Sequence, residues 1–482
     1  MAIIIAGERS GVGKTTVTLS LLASLCRQNA NLASKVQSFK VGPDYIDPMF
    51  HQYVTGLPCR NLDAVLTSEN YIKKCFQRHI SNAEYGLIEG VMGLFDGVGN
   101  EYQSNISNQS NNQLITDFGS TAHIARLLNI PVLLVIDCSR LSGSVAAIAH
   151  GYCKLDPRIK IAGLVLNRVG SERHLSLLQN SLKPLEIPIL GVLRREDNIT
   201  IPDRHLGLIP TGELSELDNI IDRLATLGDH CFDWPKLLPL LKSGTSNNIS
   251  NNIYNSIYQN IHQKFTNIQT NIKIAVAKDQ AFNFYYQDNL DILEQLGAKL
   301  IYWSPLKDHK LPENIQGMYF GGGFPEVFAE KLAENKEVIQ QVKTAILSGI
   351  PTIAECGGLM YLCENIIDFD GKSWPMVGIL PTSAQMDKKL TLGYRRAVIL
   401  ENTWLLNTGN NGNNNNYIYG HEFHRSHVIN NCEKPLFNTY RYDNSENTGF
   451  EGWNLPNVHA SYIHQHWGES LEIPQRFLET CR

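Results

Sequence analysis

No two of the ten cysteines stand in the CxxC spacing of a structural zinc site or a redox motif; they are scattered along the 482 residues. That usage fits a reducing compartment. An excess of basic charge is equally missing: 42 Lys and Arg face 47 Asp and Glu, a net charge of -5, so no broad cationic surface is offered to nucleic acid. Long apolar runs are absent too. The stretch Ala2–Ala6 is short and passes straight into a glycine-rich loop, which makes it a buried first strand rather than a signal peptide or a membrane span. The expectation is a soluble, cytoplasmic protein, or one of an organelle stroma if it is organelle-encoded, with neither membrane nor nucleic acid as partner.

What is present suffices for two cores. Single cores stop growing near ~250–300 residues, and a 482-residue chain with 43% hydrophobic and 18% charged residues divides into two domains. In the first half the β-rich runs Ile3–Ala6, Tyr85–Ile88, Val132–Ile136 and Ile161–Leu166 alternate with stretches long enough for crossover helices, the rhythm of a mostly parallel sheet. Residues 243–271 then turn to Asn, Ser, Gln, Ile and Tyr with few charges and read as a linker. A second α/β series has strands at Ile272–Ala277, Met318–Phe320 and Thr352–Ala354, and helices expected over Phe284–Leu296 and Val327–Ser348. The reading is an α/β protein with domains at 1–242 and 272–482. The Asn-rich stretches Asn247–Asn252 and Asn410–Asn416 look like solvated insertions and are assigned no chemistry.

Gly7-Glu8-Arg9-Ser10-Gly11-Val12-Gly13-Lys14-Thr15-Thr16 leaves a strand and enters an apolar helical pattern, Val17–Leu25, the context a phosphate-binding loop requires. Gly11 and Gly13 let backbone N–H groups converge on phosphate oxygens at a helix N-terminus that includes Thr16. Lys14 reaches the terminal phosphates, and the Thr15 hydroxyl is a magnesium ligand. A glycine-rich turn without a ligand would leave the Gly-Lys-Thr-Thr ending unexplained. Two acidic segments, Lys40–Pro48 (KVGPDYIDP) and Glu89–Gly97 (EGVMGLFDG), follow at the ends of expected strands, where open parallel sheets place their crevice. Carboxylates beside a triphosphate are costly unless a cation neutralises them, which makes Asp44 and Glu89 direct or water-mediated magnesium partners; the competing reading is that they cap turns. Asn167 closes the strand Ile161–Leu166, and its amide suits a purine edge as well as it suits a strand end.

In Ile353-Ala354-Glu355-Cys356-Gly357-Gly358-Leu359-Met360 one cysteine stands on a sharp turn between an apolar strand and a helix, like a nucleophile elbow. The turn exposes the sulfur, and the adjacent N–H groups favour a thiolate and then an oxyanion. The other nine cysteines lack this setting and read as inert. The turn Gly321-Gly322-Gly323-Phe324-Pro325-Glu326 also leaves a strand and opens a helix, so Gly322 and Gly323 are placed to complete the oxyanion site that Gly357 begins. A thiol needs a base. The late segment His459–Trp467 offers His459, His464 and His466; in a strand the last two share one face, and spacing chooses neither. The stretch Gly420–His427 (GHEFHRSH) reads equally as a binder of substrate carboxylates or as packing.

The phosphate loop Gly7–Thr16, Lys40–Pro48, Glu89–Gly97, Gly321–Glu326, Glu355–Gly358, Gly420–Ser426 and Ser461–His464 span nearly the whole chain. In this order they resemble the cobyrinic acid a,c-diamide synthase family of cobalamin-biosynthetic glutamine amidotransferases. The loop, in which Gly7 lies one residue too far from Gly13 for the strict GxxxxGK[ST] form, is similar to that of the dethiobiotin synthetase-like branch of phosphate-loop proteins. The resemblance implies an N-terminal P-loop (dethiobiotin synthetase-like) parallel-sheet domain and a C-terminal class I glutamine amidotransferase-like α/β domain. It implies ATP with Mg2+ at the first and L-glutamine at the second. Glutamine is hydrolysed at Cys356 through a thioester, and ammonia passes to the first domain, where a carboxylate of cobyrinic acid or a related corrinoid is phosphorylated and then amidated. The resemblance carries over Tyr45 and Asp96 as substrate-site residues and, through Ser461-Tyr462-Ile463-His464, selects His464 as the base. Ordinary class I glutaminases carry Glu two residues after that histidine; His466 stands there instead, which implies a Cys–His pair or a third member elsewhere. Hydrogenobyrinic acid and nickel sirohydrochlorin are alternative substrates within the same chemistry. A partitioning-type ATPase switch is the competing class, and it has no use for a cysteine elbow followed by a late histidine. A homodimer is compatible with this reading and not required by it.

Overall fold

The computed structural model describes residues 2–28, 35–99, 117–195, 199, 201–204, 207–243, 271–408, 416–430 and 432–482. They fall into two compact units, one N-terminal and one C-terminal. The expected linker and both Asn-rich stretches lie outside the described residues, save Ser243, Asn271 and Asn416.

In the N-terminal unit the first apolar run becomes β1, Ile3–Gly7, buried along its whole length. It is joined by β2 (Val36–Val41), β3 (Arg60–Leu62), β4 (Tyr85–Glu89), β5 (Val132–Asp137), β6 (Ile161–Val169) and β7 (Ile189–Arg194). The sheet order is β3-β2-β4-β1-β5-β6-β7, parallel throughout. Near-continuous apolar strands such as β5 (VLLVID) are what a parallel sheet covered on both faces demands. An apolar-run criterion passes over β2 and β3 because they bury polar groups: Gln37, Ser38 and Lys40 in one, Arg60 and Asn61 in the other. The chain winds to one side of β1 for β2–β4 and to the other for β5–β7, so the strand order switches where β1 ends and the glycine loop begins.

Helix α1, Lys14–Gln28, follows that loop and buries Val17, Leu21 and Leu25. It packs closely on the helix Leu217–Cys231: a Cβ on Gly228 would stand 2.2 Å from the Ser20 carbonyl oxygen.

The C-terminal unit holds a six-stranded sheet in the order Ala298–Trp303, Ile272–Ala277, Gly317–Phe320, Thr352–Glu355, Val458–Ser461, Trp453–Asn454. Its pairs are parallel except the last. A second, mostly antiparallel sheet is built around the long strand Leu380–Ile399, with Tyr417–Val428 and Phe437–Arg441 beside it. The central strand turns polar and exposed over Asp387–Leu390, which hides it from a search for apolar runs.

Two expected helices are corrected. The one placed at Phe284–Leu296 spans Gln287–Gln295, because the Phe284 N–H is taken by the Gly322 carbonyl at 3.0 Å. The one placed at Val327–Ser348 is broken into Pro325–Phe328, Ala329–Glu334 and Lys336–Leu347. Asn335 makes the break at ψ 56°, its amide donating to the carbonyls of Pro305 (2.9 Å) and Asp308 (2.8 Å). Among the described residues no helix is long and apolar enough to cross a membrane.

Gly228→Ala forces two backbones apart beneath the glycine loop. It is expected to cost about 1–3 kcal/mol, read as a lowered urea midpoint of the N-terminal unit; an unchanged midpoint would show that the two helices separate freely.

Candidate functional site

The N-terminal site is built from the switch point outward. Because α1 begins at Lys14, residues 8–13 bring their backbone to a helix N-terminus. Gly13 has φ +93°, and a Cβ there would lie 2.4 Å from Asn167 Nδ2, so glycine allows Asn167 to close on the loop. Asn167 donates Nδ2–H to the Val12 carbonyl at 2.7 Å and accepts the Arg168 N–H at 2.9 Å. That leaves one N–H and one lone pair of the amide for a ligand. Gly11 is exposed at φ +75°, and Thr16 is half-buried in the first turn. Arg168, passed over by motif reading, donates to Asp137 Oδ2 (2.6 Å) and the Gly11 carbonyl (3.2 Å), while Arg9 reaches the same Asp137 oxygen at 3.1 Å.

Beneath the loop lies a buried set of charges. Thr15 donates its hydroxyl to Glu89 Oε1 at 2.7 Å and lies 3.4 Å from Asp47 Oδ2. Parallel register sets Lys40 opposite Glu89. The Lys40 ammonium donates to Asp47 Oδ2 (2.5 Å), Glu89 Oε1 (3.0 Å) and the Gly90 carbonyl (3.3 Å). The second oxygen of Glu89 meets His51 Nε2 at 2.8 Å, and His51 Nδ1 meets the Cys59 sulfur at 3.3 Å. Lys14 donates to the carbonyls of Met92 (2.5 Å) and Arg9 (3.3 Å).

The shifts follow from these contacts. Burial would raise Glu89, but Lys40 and His51 hold its carboxyl far below the usual carboxylate range. Burial, then the charges of Asp44 and Glu89, push Asp47 well above its usual value in spite of Lys40. Burial, then the Lys40 charge, brings Lys14 down to about 8.

Asp44 and Asp47 stand three residues apart at the start of the helix Ile46–Thr55, α2. Asp44 Oδ1 accepts the N–H groups of Ile46 (2.8 Å) and Asp47 (3.2 Å), which caps the turn, and its Oδ2 lies 3.8 Å from Lys40. Asp47, Lys40 and His51 were missed from sequence; the signal for Asp47 was its place one helical turn after Asp44. Tyr45 is a buried ring at the N-cap of α2. Asp96 is exposed, accepts the Gly93 N–H at 2.8 Å and acts on Lys14 through its charge. A hydroxyl and two carboxylate oxygens within 3.4 Å of it form a donor set that suits a hard, oxygen-seeking cation.

In the C-terminal unit Cys356 joins the strand Thr352–Glu355 to the helix Gly357–Leu362 at φ +48°, ψ -100°. Such a backbone costs about 1–3 kcal/mol in a residue other than glycine. The Gly357 N–H is bonded to the sulfur, and the Cys356 N–H donates to the Ser461 carbonyl at 2.7 Å. The glycine turn touches both candidate partners. A Cβ on Gly322 would stand 2.4 Å from His464 Cε1, and one on Gly357 would stand 3.0 Å from Gly323 N. The structure thus gathers Cys356, Gly357, Gly322, Gly323 and His464 at the ends of three neighbouring parallel strands.

The strand expected to carry the late histidines ends at Ser461, so the same-face argument for His464 and His466 does not apply. His464 exchanges two backbone hydrogen bonds with His421, at 3.0 and 2.9 Å. His466 turns to Asp288 at 3.5 Å and to the Tyr286 ring, and His459 lies 3.3 Å from Gln465 Nε2. The GHEFHRSH stretch lies on the strand Tyr417–Val428. There His424 stacks on Tyr462 at 4.0 Å, and Glu422 pairs with Arg395 Nε at 2.5 Å. Cys356 is only 3% exposed, so the sharp turn buries the residue where the sequence pattern predicts an exposed sulfur. Burial, then the Glu326 carboxylate, drives its pKa upward, with Glu422 and Glu355 adding and the Gly357 N–H opposing. Burial, then the charges of His421 and His424, lowers His464 to about 3. Both shifts favour the uncharged forms, a protonated sulfur and a neutral imidazole.

Residues 3–209 match the CobQ/CobB/MinD/ParA nucleotide binding domain family, and residues 273–471 match the CobB/CobQ-like glutamine amidotransferase domain family. The chain is 54% identical over 482 residues to the cobyrinate a,c-diamide synthase of Synechococcus sp., covering 100% of this chain and 98% of that protein. It is 49% identical to the protein of that name from Synechocystis sp. (100% and 93% covered) and 42% identical to that from Gloeobacter violaceus (100% and 97%).

Since His464 is neutral from about pH 3 upward, no imidazolium is available to hold a thiolate at neutral pH. Alkylation of Cys356 by iodoacetamide in the ligand-free protein, followed by peptide mass spectrometry, is expected to keep accelerating as pH rises past the ordinary thiol value of ~8.5. A rate already level below pH 7 would reveal a stored thiolate.

Proposed function

The chain belongs to the cobyrinate a,c-diamide synthase family, and from that premise we propose that it amidates the a and c carboxylates of cobyrinic acid, with nitrogen from glutamine and activation by ATP. It is a carbon–nitrogen ligase with glutamine as amido-nitrogen donor. The observation that carries the reaction is that one polypeptide holds both halves of the chemistry. One half is a phosphate loop over the Thr15, Glu89, Asp47 and Lys40 cluster; the other is a cysteine elbow whose Gly357 and partner His464 meet at one glycine turn. We assign the halves to residues 1–242 and 272–482, joined by a linker at 243–271.

At the second half the Cys356 sulfur attacks the side-chain amide carbon of glutamine. His464 takes the thiol proton and returns it to the departing ammonia, while N–H groups of Gly357, Gly322 and Gly323 receive the oxyanion. Water, deprotonated by His464, then attacks the thioester, the C–S bond breaks to release glutamate, and His464 returns the proton to the sulfur. At the first half the loop N–H groups of Gly11 and Gly13, with Thr16 in the following turn, and the Lys14 ammonium hold the triphosphate, and Asn167 faces the purine. Thr15 and Glu89, with Asp44 and Asp47 beside them, would hold magnesium, which when bound would neutralise the phosphate oxygens. A corrinoid carboxylate, positioned by Tyr45 and Asp96, attacks the γ-phosphorus and ADP leaves. Ammonia attacks the resulting acyl phosphate, phosphate departs, and an amide remains. Two carboxylates require two such cycles.

The test is a product-resolved assay with a cobalt corrinoid, ATP, magnesium and either glutamine or ammonium. Cys356→Ala is expected to lose glutamine-dependent amidation by at least ~10³-fold and to keep the ammonium-dependent reaction. A variant as active with glutamine as the parent would remove the nitrogen source assigned here. Failure of the parent on cobyrinic acid, hydrogenobyrinic acid and nickel sirohydrochlorin alike would remove the substrate.

A further inference from the structure

The pocket assigned to magnesium contains a cation belonging to the protein itself. The Lys40 ammonium lies 3.0 Å from Glu89 Oε1, 2.5 Å from Asp47 Oδ2 and 3.8 Å from Asp44 Oδ2, on a side chain only 4% exposed. Glu89 Oε1 and Asp47 Oδ2 are also the two carboxylate oxygens to which the Thr15 hydroxyl is hydrogen-bonded. An ion ligated by Thr15 and either oxygen would stand ~2.0–2.1 Å from each donor. An ammonium already using those lone pairs cannot remain beside it, because two cations would then compete for the same acceptors at contact distance.

The Lys40 backbone is fixed by sheet pairing opposite Glu89, but its four-carbon stem can swing the charge elsewhere. Its departure would leave Glu89 with His51 alone and take from Asp47 the ammonium at 2.5 Å, and buried anions stripped of counter-charge are strongly unfavourable. Departure of the ammonium and arrival of a metal ion are therefore one exchange. The displaced ammonium needs an anion of its own. Within the pocket its neighbour is Lys14, whose charge it already opposes, and Lys14 is itself held on the carbonyls of Met92 and Arg9. A triphosphate arriving on the loop supplies what both lysines lack.

We propose that Lys40 is a placeholder cation: in the nucleotide-free protein its ammonium fills the magnesium position among Thr15, Asp47 and Glu89, and it moves to the phosphates when metal and nucleotide enter together. The inference rests on reading that pocket as the metal site. Its consequence is that metal and nucleotide each raise the affinity for the other, reciprocally, and that the pocket refuses a metal ion arriving alone.

The probe is Mn2+, with the free ion counted by electron paramagnetic resonance, on the full-length protein. The parent is expected to bind Mn2+ at this site only with a non-hydrolysable ATP analogue present. Lys40→Gln empties the position without removing an oxygen donor. It is expected to take up one Mn2+ without nucleotide at least ~10-fold more tightly than the parent, and to lose that ion when Glu89→Gln is added. A Lys40→Gln protein as indifferent to Mn2+ as the parent, or a parent that binds the ion equally well with and without analogue, overturns the placeholder while leaving the metal site standing. A parent that binds no Mn2+ even with the analogue overturns the metal site, and the placeholder with it. If Lys40→Gln fails to fold, the parent alone decides. Its affinity for the analogue is expected to be at least ~10-fold weaker in EDTA than in Mn2+, and equal affinities overturn the inference.

Discussion

A fully buried carboxylate that keeps its negative charge is the constraint around which the N-terminal unit is organised. Glu89 is 0% exposed, and an anion in that position is tolerable only with several donors directed at it. Each donor comes from a different element. Thr15 arrives from the first turn of the helix after the glycine loop, Lys40 from the adjacent strand, and His51 from the helix after the acidic motif. The strand order that sets β4 between β1 and β2 is what allows these elements to converge, so topology and charge are two descriptions of one requirement.

The cysteine site handles protons in the opposite manner. Around Cys356 the neighbouring carboxylates Glu326, Glu422 and Glu355 disfavour a thiolate, and burial keeps both sulfur and imidazole uncharged. A protonated sulfur is less open to oxidation than a thiolate. One unit holds permanent charge ready for a highly charged ligand. The other withholds charge from a neutral amide.

Both α/β layouts were legible in the residues. The strands at Ile3, Tyr85, Val132, Ile161, Ile272, Met318 and Thr352 are short apolar runs between turn signals, and they form where that pattern puts them, within a residue or a few at their ends. The antiparallel sheet around Leu380–Ile399 was not legible, because a half-exposed strand interrupted by charged residues has neither an apolar run nor a clean alternation. Glycine loops announce themselves through residues that only a close backbone approach requires. Lys40 and His51 carry no such mark, since what distinguishes them is burial, and burial of a charged side chain is set by neighbours distant in sequence. The late histidines show the same limit: their spacing invited a strand, and only the end of that strand at Ser461 separates their directions.

The hydrogen bond from the Cys356 amide to the Ser461 carbonyl has a further bearing on how this chain tolerates change. Cys356 and His464 follow adjacent strands of one sheet, so the backbones that lead to them run ~4.8 Å apart whatever the length of chain between. The imidazole has a second tether, because His464 exchanges two backbone hydrogen bonds with His421 of the strand Tyr417–Val428, so change is tolerated in the connections between those strands and not in the stretch of the antiparallel sheet that faces His464.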